Sequence, residues 1–218
     1  LPGVRNWGIL RQVDFARPCI TFIQMSPSHS GADKPPDTLA AKLVALQQHL
    51  SAMESVLVAF SGGTDSTFLL AACARVPGLR VLAVTVSSPL VPARTVRQAE
   101  VVARQLGVPH RLLEVPDFWS CGEIVRNGPD RCYHCKKHLV TGLKAMARDG
   151  GWRFVADGSH QDDLAGARPG SRALREEGVR SPLRETDWTK ADIRTASAPT
   201  PGPATSRPSP RSRSAIGR

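Results

Sequence analysis

The sequence predicts an α/β domain with a parallel sheet and flanking helices, and three observations lead there. Through residues 36–194, short apolar runs suited to buried strands alternate with segments of helical period. The first run, VLVAF at residues 56–60, is apolar throughout, as a strand buried on both faces requires. A glycine-containing turn follows that run and opens into a helix. This places the turn at the C-terminal end of a strand, where parallel sheets bind their ligands.

The elements follow in order. Leu39, Leu43, Leu46 and Leu50 recur at steps of four, three and four and mark one face of a helix over 38–52, with Asp37 as its expected N-cap. Strand 56–60 comes next, then a helix over 66–75 stopped by Pro77 and Gly78. Residues 81–86 read as the second strand. Pro92 suits a helix start, and Val96, Ala99, Ala103 and Leu106 mark a face that ends at Gly107. Residues 111–115 form the third strand and 131–147 a helix with Leu139, Leu143 and Met146 on one side. Residues 153–156 form the fourth strand, followed by an acidic loop that opens with Asp157 and Gly158.

Outside this zone the pattern is lost. Residues 1–35 have no clear period, and Met25 marks an alternative start. Residues 195–218 are almost entirely Pro, Ser, Arg, Thr, Ala and Gly, a composition that cannot build a core and is expected to be disordered. The net charge of +10 lies largely in these ends: residues 1–24 carry +2, residues 195–218 carry +4, and the long stretch between them carries only +4. A nucleic-acid partner is therefore not expected, since it would want a basic stripe on the folded part. No apolar run reaches the ~18–20 residues of a membrane span, and residues 1–24 are too charged for a secretion signal. A cytoplasmic protein is expected. The five cysteines, at 19, 73, 121, 132 and 135, are an odd number and do not suggest a disulfide framework.

The segment with the clearest chemistry is Ser61-Gly62-Gly63-Thr64-Asp65-Ser66. Its glycines allow a tight turn and close approach of a ligand. The free N–H groups and positive dipole end of the following helix form an anion site suited to phosphate, to which the Ser61 and Ser66 hydroxyls can add. Asp65 would repel phosphate unless Mg²⁺ bridges them, or it simply caps the helix. No Gly-Lys-Ser/Thr follows, so the loop is not a Walker A motif, nor is it the dinucleotide-binding glycine pattern.

A Ser-Gly-Gly-x-Asp-Ser loop after a buried strand resembles the PP-loop ATP pyrophosphatase superfamily, whose fold is of the adenine nucleotide alpha hydrolase type. The resemblance implies cleavage of ATP to AMP and pyrophosphate with adenylation of a substrate. Three further segments narrow it: residues 129–137 (PDRCYHCKK), residues 157–170 with Asp162, Asp163 and Arg168, and residues 179–183 (VRSPL). In this order they look like the ATP-dependent sacrificial sulfur transferases of nickel-pincer nucleotide biosynthesis, over about residues 40–194. That resemblance implies adenylation of a carboxylate on a pyridinium mononucleotide with MgATP, and then displacement of AMP by sulfur. Some relatives give up the sulfur of their own cysteine. Others hold a [4Fe–4S] cluster with three cysteines, two of them spaced like Cys132 and Cys135. The family pattern continues into a further cysteine, a Ser-Arg-x-Pro-Tyr-Gly segment and a second domain. This sequence turns to its Pro/Arg/Ser tail after Arg194 instead, and a frameshift or early stop near residue 195 is the expectation.

Several residues admit two readings. Cys132 and Cys135 are cluster ligands, half of a zinc site with His138 and Cys121, or free thiols. Arg131, Lys136 and Lys137 contact a phosphate or carboxylate, or are solvated. Asp162 and Asp163 position metal or substrate. Arg168 and Arg180 pair with substrate phosphate or with a neighbouring acid. Cys73 is expected to be a small buried hydrophobe, and His29, His49, His110 and His160 receive no role. Two other functions compete: a different PP-loop adenylase, for tRNA thiolation or for NAD- or GMP-synthetase-like amide formation, and an ATP-binding remnant without turnover. A small nucleotide substrate is expected in either case, and relatives of this kind are often homo-oligomers.

Overall fold

The computed structural model describes residues 38–88, 91–115, 122–164 and 169–198. Its elements run α1 (Leu39–Ser51), β1 (Ser55–Ala59), α2 (Thr64–Cys73), β2 (Arg80–Ser87), α3 (Ala93–Gln105), β3 (His110–Glu114), α4 (Gly122–Val125), α5 (Arg131–Asp149), β4 (Phe154–Ala156), a 3₁₀ turn (Gln161–Leu164), α6 (Pro169–Glu176), α7 (Pro182–Glu185) and α8 (Lys190–Ser197). The expected strands and helices all form, within a few residues of the expected bounds. Asp37 lies outside the described residues, and the cap on α1 is Thr38, whose hydroxyl accepts from the Ala41 N–H.

The four strands are parallel, in the order β3-β2-β1-β4. Leu57 on β1 pairs with Leu82 on β2 and with Val155 on β4. Because side chains alternate across a strand, β1 feeds two cores. Val56 and Val58 face a layer with Leu46, Leu50, Phe68, Trp188 and Ile193. Leu57 faces the other layer with Leu82, Val84, Leu143 and Leu174. That double burial is why the run at 56–60 has no polar interruption. β3 is a sheet edge, and its Leu112 is largely exposed.

The domain boundary expected at 194 moves outward. α8 continues to Ser197, because Ala196 sits one turn after Ile193 and is buried with it against the core. The helix begins with a capping box in which Thr189 and Asp192 satisfy each other's backbone N–H groups. Residues 1–37 and 199–218 lie outside the described residues. Among the described residues, no helix is long and apolar enough to cross a membrane.

Candidate active site

The loop at 61–66 turns between β1 and α2 at the C-terminal edge of the sheet. Gly62 takes φ +74°, which favours glycine, and a Cβ there would come within 3.2 Å of Ala99 on α3. Gly63 caps α2, so the N–H groups of Thr64, Asp65 and Ser66 have no acceptor within the helix. The Ser61 and Ser66 hydroxyls lie 3.1 Å apart and bond to each other and to the loop backbone: Gly63 N–H donates to Ser61 Oγ, and Ser66 Oγ donates to the Gly63 carbonyl. In this structure the hydroxyls shape the loop, and the unsatisfied donors are the amides.

The loop opens onto a cavity of about 850 Å³ at the strand ends. Ser61, Gly63, Asp65 and Ser66 form one wall. Val84, Thr85 and Val86 of β2, with Val91, Pro92 and Thr95 at the start of α3, form another. The wall supplied by α5 carries Arg131, Cys132, Cys135, Lys136 and Leu139. Asp157, Gly158, Ser159 and Asp163 close the side beyond β4. Gly158 presses against the first turn of α2, where an added Cβ would lie 2.9 Å from Ser66 N. Asp157 accepts from Ser159 Oγ at 2.5 Å and Ser181 Oγ at 2.7 Å, which fixes this rim.

Asp65, expected as a magnesium ligand or helix cap, is bound by the Lys190 ammonium from the start of α8. The expected pair Asp162 and Asp163 separates. Asp162 turns out to accept from the Lys190 backbone N–H at 2.7 Å and so anchors α8, while Asp163 lines the cavity. His160, given no role from sequence, is nearly buried between carboxylates. Its Nε2 is 3.9 Å from Asp65 and 3.7 Å from Asp163, and its Nδ1 is 3.8 Å from Asp162. Cys132 and Cys135 both line the cavity wall, and neither is in a disulfide. Among the described residues no group of three or more His, Cys, Asp or Glu could hold a metal ion, so a third ligand for this pair is not among them. Cys121 and Arg168 lie outside the described residues. Cys73 is buried as expected, and burial pushes its thiol up to about 12.

Arg180 departs from the phosphate reading. Its Nε donates to both Glu185 oxygens at 3.1 and 3.0 Å, its guanidinium lies 3.2 Å from His49 Nε2, and it is absent from the cavity wall. The signal was local: Glu185 follows five residues later and also accepts from the Ser181 N–H. Burial pushes the Glu185 carboxyl up, but the bonds from Arg180 and Ser181 and the nearby charges outweigh it, leaving a net shift below its ordinary value of 4.5. A depressed carboxyl contributes stability that is complete above that value and is lost as pH falls below it. Arg180→Gln is therefore expected to cost about 1–2 kcal/mol in urea unfolding at pH 7, with the deficit shrinking below pH 4.

No family model matches the chain. Over 158 residues, 72% of its length, it is 37% identical to the pyridinium-3,5-bisthiocarboxylic acid mononucleotide synthase of Lactiplantibacillus plantarum. Through this domain the chain is a relative of that synthase. An uncharacterized Synechocystis protein is 34% identical over 156 residues, again 72% of the chain. The chain spans a little over half of these relatives, 57% and 58% of their lengths. Among solved structures, the fold is shared with an NMN synthetase from Francisella tularensis (TM-score 0.57, 16% identity, 72% of this chain and 68% of that one). It is also shared with a U34-tRNA thiolase from Methanococcus maripaludis that carries a [4Fe–4S] cluster (TM-score 0.54, 16% identity, 72% and 63%). An NH3-dependent NAD synthetase from Campylobacter jejuni matches too (TM-score 0.54, 12% identity, 73% and 72%). At these identities the likeness is one of fold.

Proposed function

We propose that this domain binds MgATP and adenylates a carboxylate of a pyridinium mononucleotide, and that a sulfur nucleophile then displaces AMP to leave a thiocarboxylate. The observation that carries the reading is that the phosphate loop at 61–66 and the Cys132/Cys135 pair open onto one cavity, large enough for a nucleotide beside an acceptor. A bare carboxylate has no leaving group. In the first step its oxygen forms a bond to the α-phosphorus as the bond to pyrophosphate breaks. In the second, sulfur attacks the acyl carbon and AMP leaves with the electron pair.

The chain's own groups supply binding and charge. The amides of Thr64, Asp65 and Ser66 and the positive end of α2 receive the departing pyrophosphate. The Lys190 ammonium, bound to Asp65, balances that carboxylate beside the loop. Asp65 and Asp163 offer hard oxygen ligands on the cavity wall, which fits magnesium. Bound there, magnesium would neutralise phosphate charge. The two thiols of Cys132 and Cys135 do not complete a [4Fe–4S] set, and no step is assigned to a cluster. A cytoplasmic setting and a small nucleotide partner belong to the same proposal.

Exchange of labelled pyrophosphate into ATP tests it. Exchange that depends on a carboxylated pyridinium mononucleotide supports the reading. Exchange that depends instead on a nucleic acid, or none with any acceptor, counts against it. Lys190→Met is expected to slow that exchange by about tenfold, because it leaves the Asp65 carboxylate beside the phosphate loop without its charged donor.

A further inference from the structure

Thr85 and His110 lie beneath the phosphate loop in a chain of contacts that the proposed chemistry leaves unused. Thr85, on β2, is buried, and its hydroxyl donates to the Phe60 carbonyl at 2.8 Å. Phe60 is the last residue before the loop. The same Thr85 oxygen is 2.8 Å from Nε2 of His110, on β3. A hydroxyl has one hydrogen, and a carbonyl can only accept, so that hydrogen is committed to Phe60. The second contact is then a hydrogen bond only if His110 Nε2 carries a proton and donates it. The direction of the chain is thus fixed: His110 to Thr85 to the Phe60 carbonyl. Burial lowers the His110 pKa while Glu100 opposes that shift, in keeping with a neutral ring protonated on Nε2.

The other end of the same peptide unit is held as well. The Ser61 N–H, joined to that carbonyl through the Phe60–Ser61 peptide bond, points at Ser66 Oγ at 3.4 Å, and Ser66 Oγ donates to the Gly63 carbonyl. The Phe60–Ser61 peptide is planar, so gripping its oxygen sets the orientation of its N–H. Hydrogen bonds arranged head to tail also polarise one another. The Phe60 ring packs edge-on to the His110 ring, with centroids 6.3 Å apart, which holds the imidazole in place.

We propose that His110 is a positioning residue for the phosphate loop, acting through Thr85 to fix the orientation of the peptide from which the loop springs. The proposal rests on the nucleotide reading of that loop. His110 touches no substrate. Its effect is to keep the amides of residues 64–66 preset for phosphate.

The test is MgATP binding by calorimetry on the full chain and on His110→Gln, His110→Leu, Thr85→Ser, Thr85→Val and the double variant His110→Leu/Thr85→Val, each with a thermal melt. Gln keeps a donor near the position of Nε2, and Ser keeps the hydroxyl. Both are expected to bind within about threefold of the parent. His110→Leu and Thr85→Val are expected to bind about five- to thirtyfold more weakly, the range for a buried hydrogen bond broken at one end. The double variant should be little worse than Thr85→Val alone, because both remove one chain. Equal losses in His110→Gln and His110→Leu, additive losses in the double variant, or weakened folding with unchanged affinity would each overturn the proposal. Failure of the parent chain to bind MgATP is a separate result, and it would count against the nucleotide reading itself.

Discussion

Gly158→Ala is expected to weaken MgATP binding by about ten- to a hundredfold. The new Cβ would lie 2.9 Å from Ser66 N, 3.0 Å from Ser66 Cα and 3.1 Å from Asp65 C. These are backbone atoms of the first turn of α2, so no flexible side chain can swing away. Something must shift, and the cost of such overpacking is about 1–3 kcal/mol, with 1.4 kcal/mol corresponding to a factor of ten. The loop after β4 borders the cavity and can move outward without opening either core. That movement disturbs the phosphate amides or Asp65, so affinity falls more than stability. Calorimetric titration beside a thermal melt checks this, and Gly158→Ala binding as tightly as the parent would mean that the contact is not maintained with ligand bound.

Trp188→Ala is expected to lower unfolding free energy by about 3–5 kcal/mol, a large share of the roughly 5–15 kcal/mol that holds an ordinary domain folded. Trp188 is fully buried, with its ring 4.7 Å from that of Phe68 on α2. Its backbone also connects elements, accepting from the Gln161 N–H and donating to the Leu183 carbonyl. Trp188→Phe should cost much less. The indole N–H is buried without a hydrogen-bond partner, so Phe removes a penalty as well as volume. Urea unfolding of both variants measures the difference. Equal losses would contradict this, since they would mean that the ring Phe retains against Phe68 contributes nothing.

The legible part of the protein was the part encoded by neighbours in sequence. The run at 56–60, the glycine turn and the helix after it lie within about twenty residues, and their periods and special residue types identify a phosphate loop. The Cys132/Cys135 pair was read as cluster ligands, half of a zinc site or free thiols, and its place on the cavity wall beside the loop comes from the fold. Less visible were contacts across the chain. Lys190 meets Asp65 from 125 residues away, and the sequence offers only a lysine at a helix start. His160 looked unremarkable in an acidic loop until packing brought Asp65 beside Asp162 and Asp163 around it. Arg180 was left between substrate phosphate and a neighbouring acid, and Glu185, five residues on, is the acid it meets. The outer end of α8 was missed for a compositional reason: Ala196 is a small residue in a Ser/Thr/Ala stretch, and only its burial beside Ile193 makes it part of the core.

Product analysis tests the central claim most directly. The full chain is incubated with MgATP, a carboxylated pyridinium mononucleotide and sulfide as the nucleophile that displaces AMP, and the adenine nucleotides are separated by chromatography. Attack at the α-phosphorus predicts AMP and pyrophosphate in equal amounts, with formation abolished by removal of the acceptor. ADP and inorganic phosphate would mean cleavage at the γ-phosphorus, and would contradict the adenylation chemistry on which the account rests.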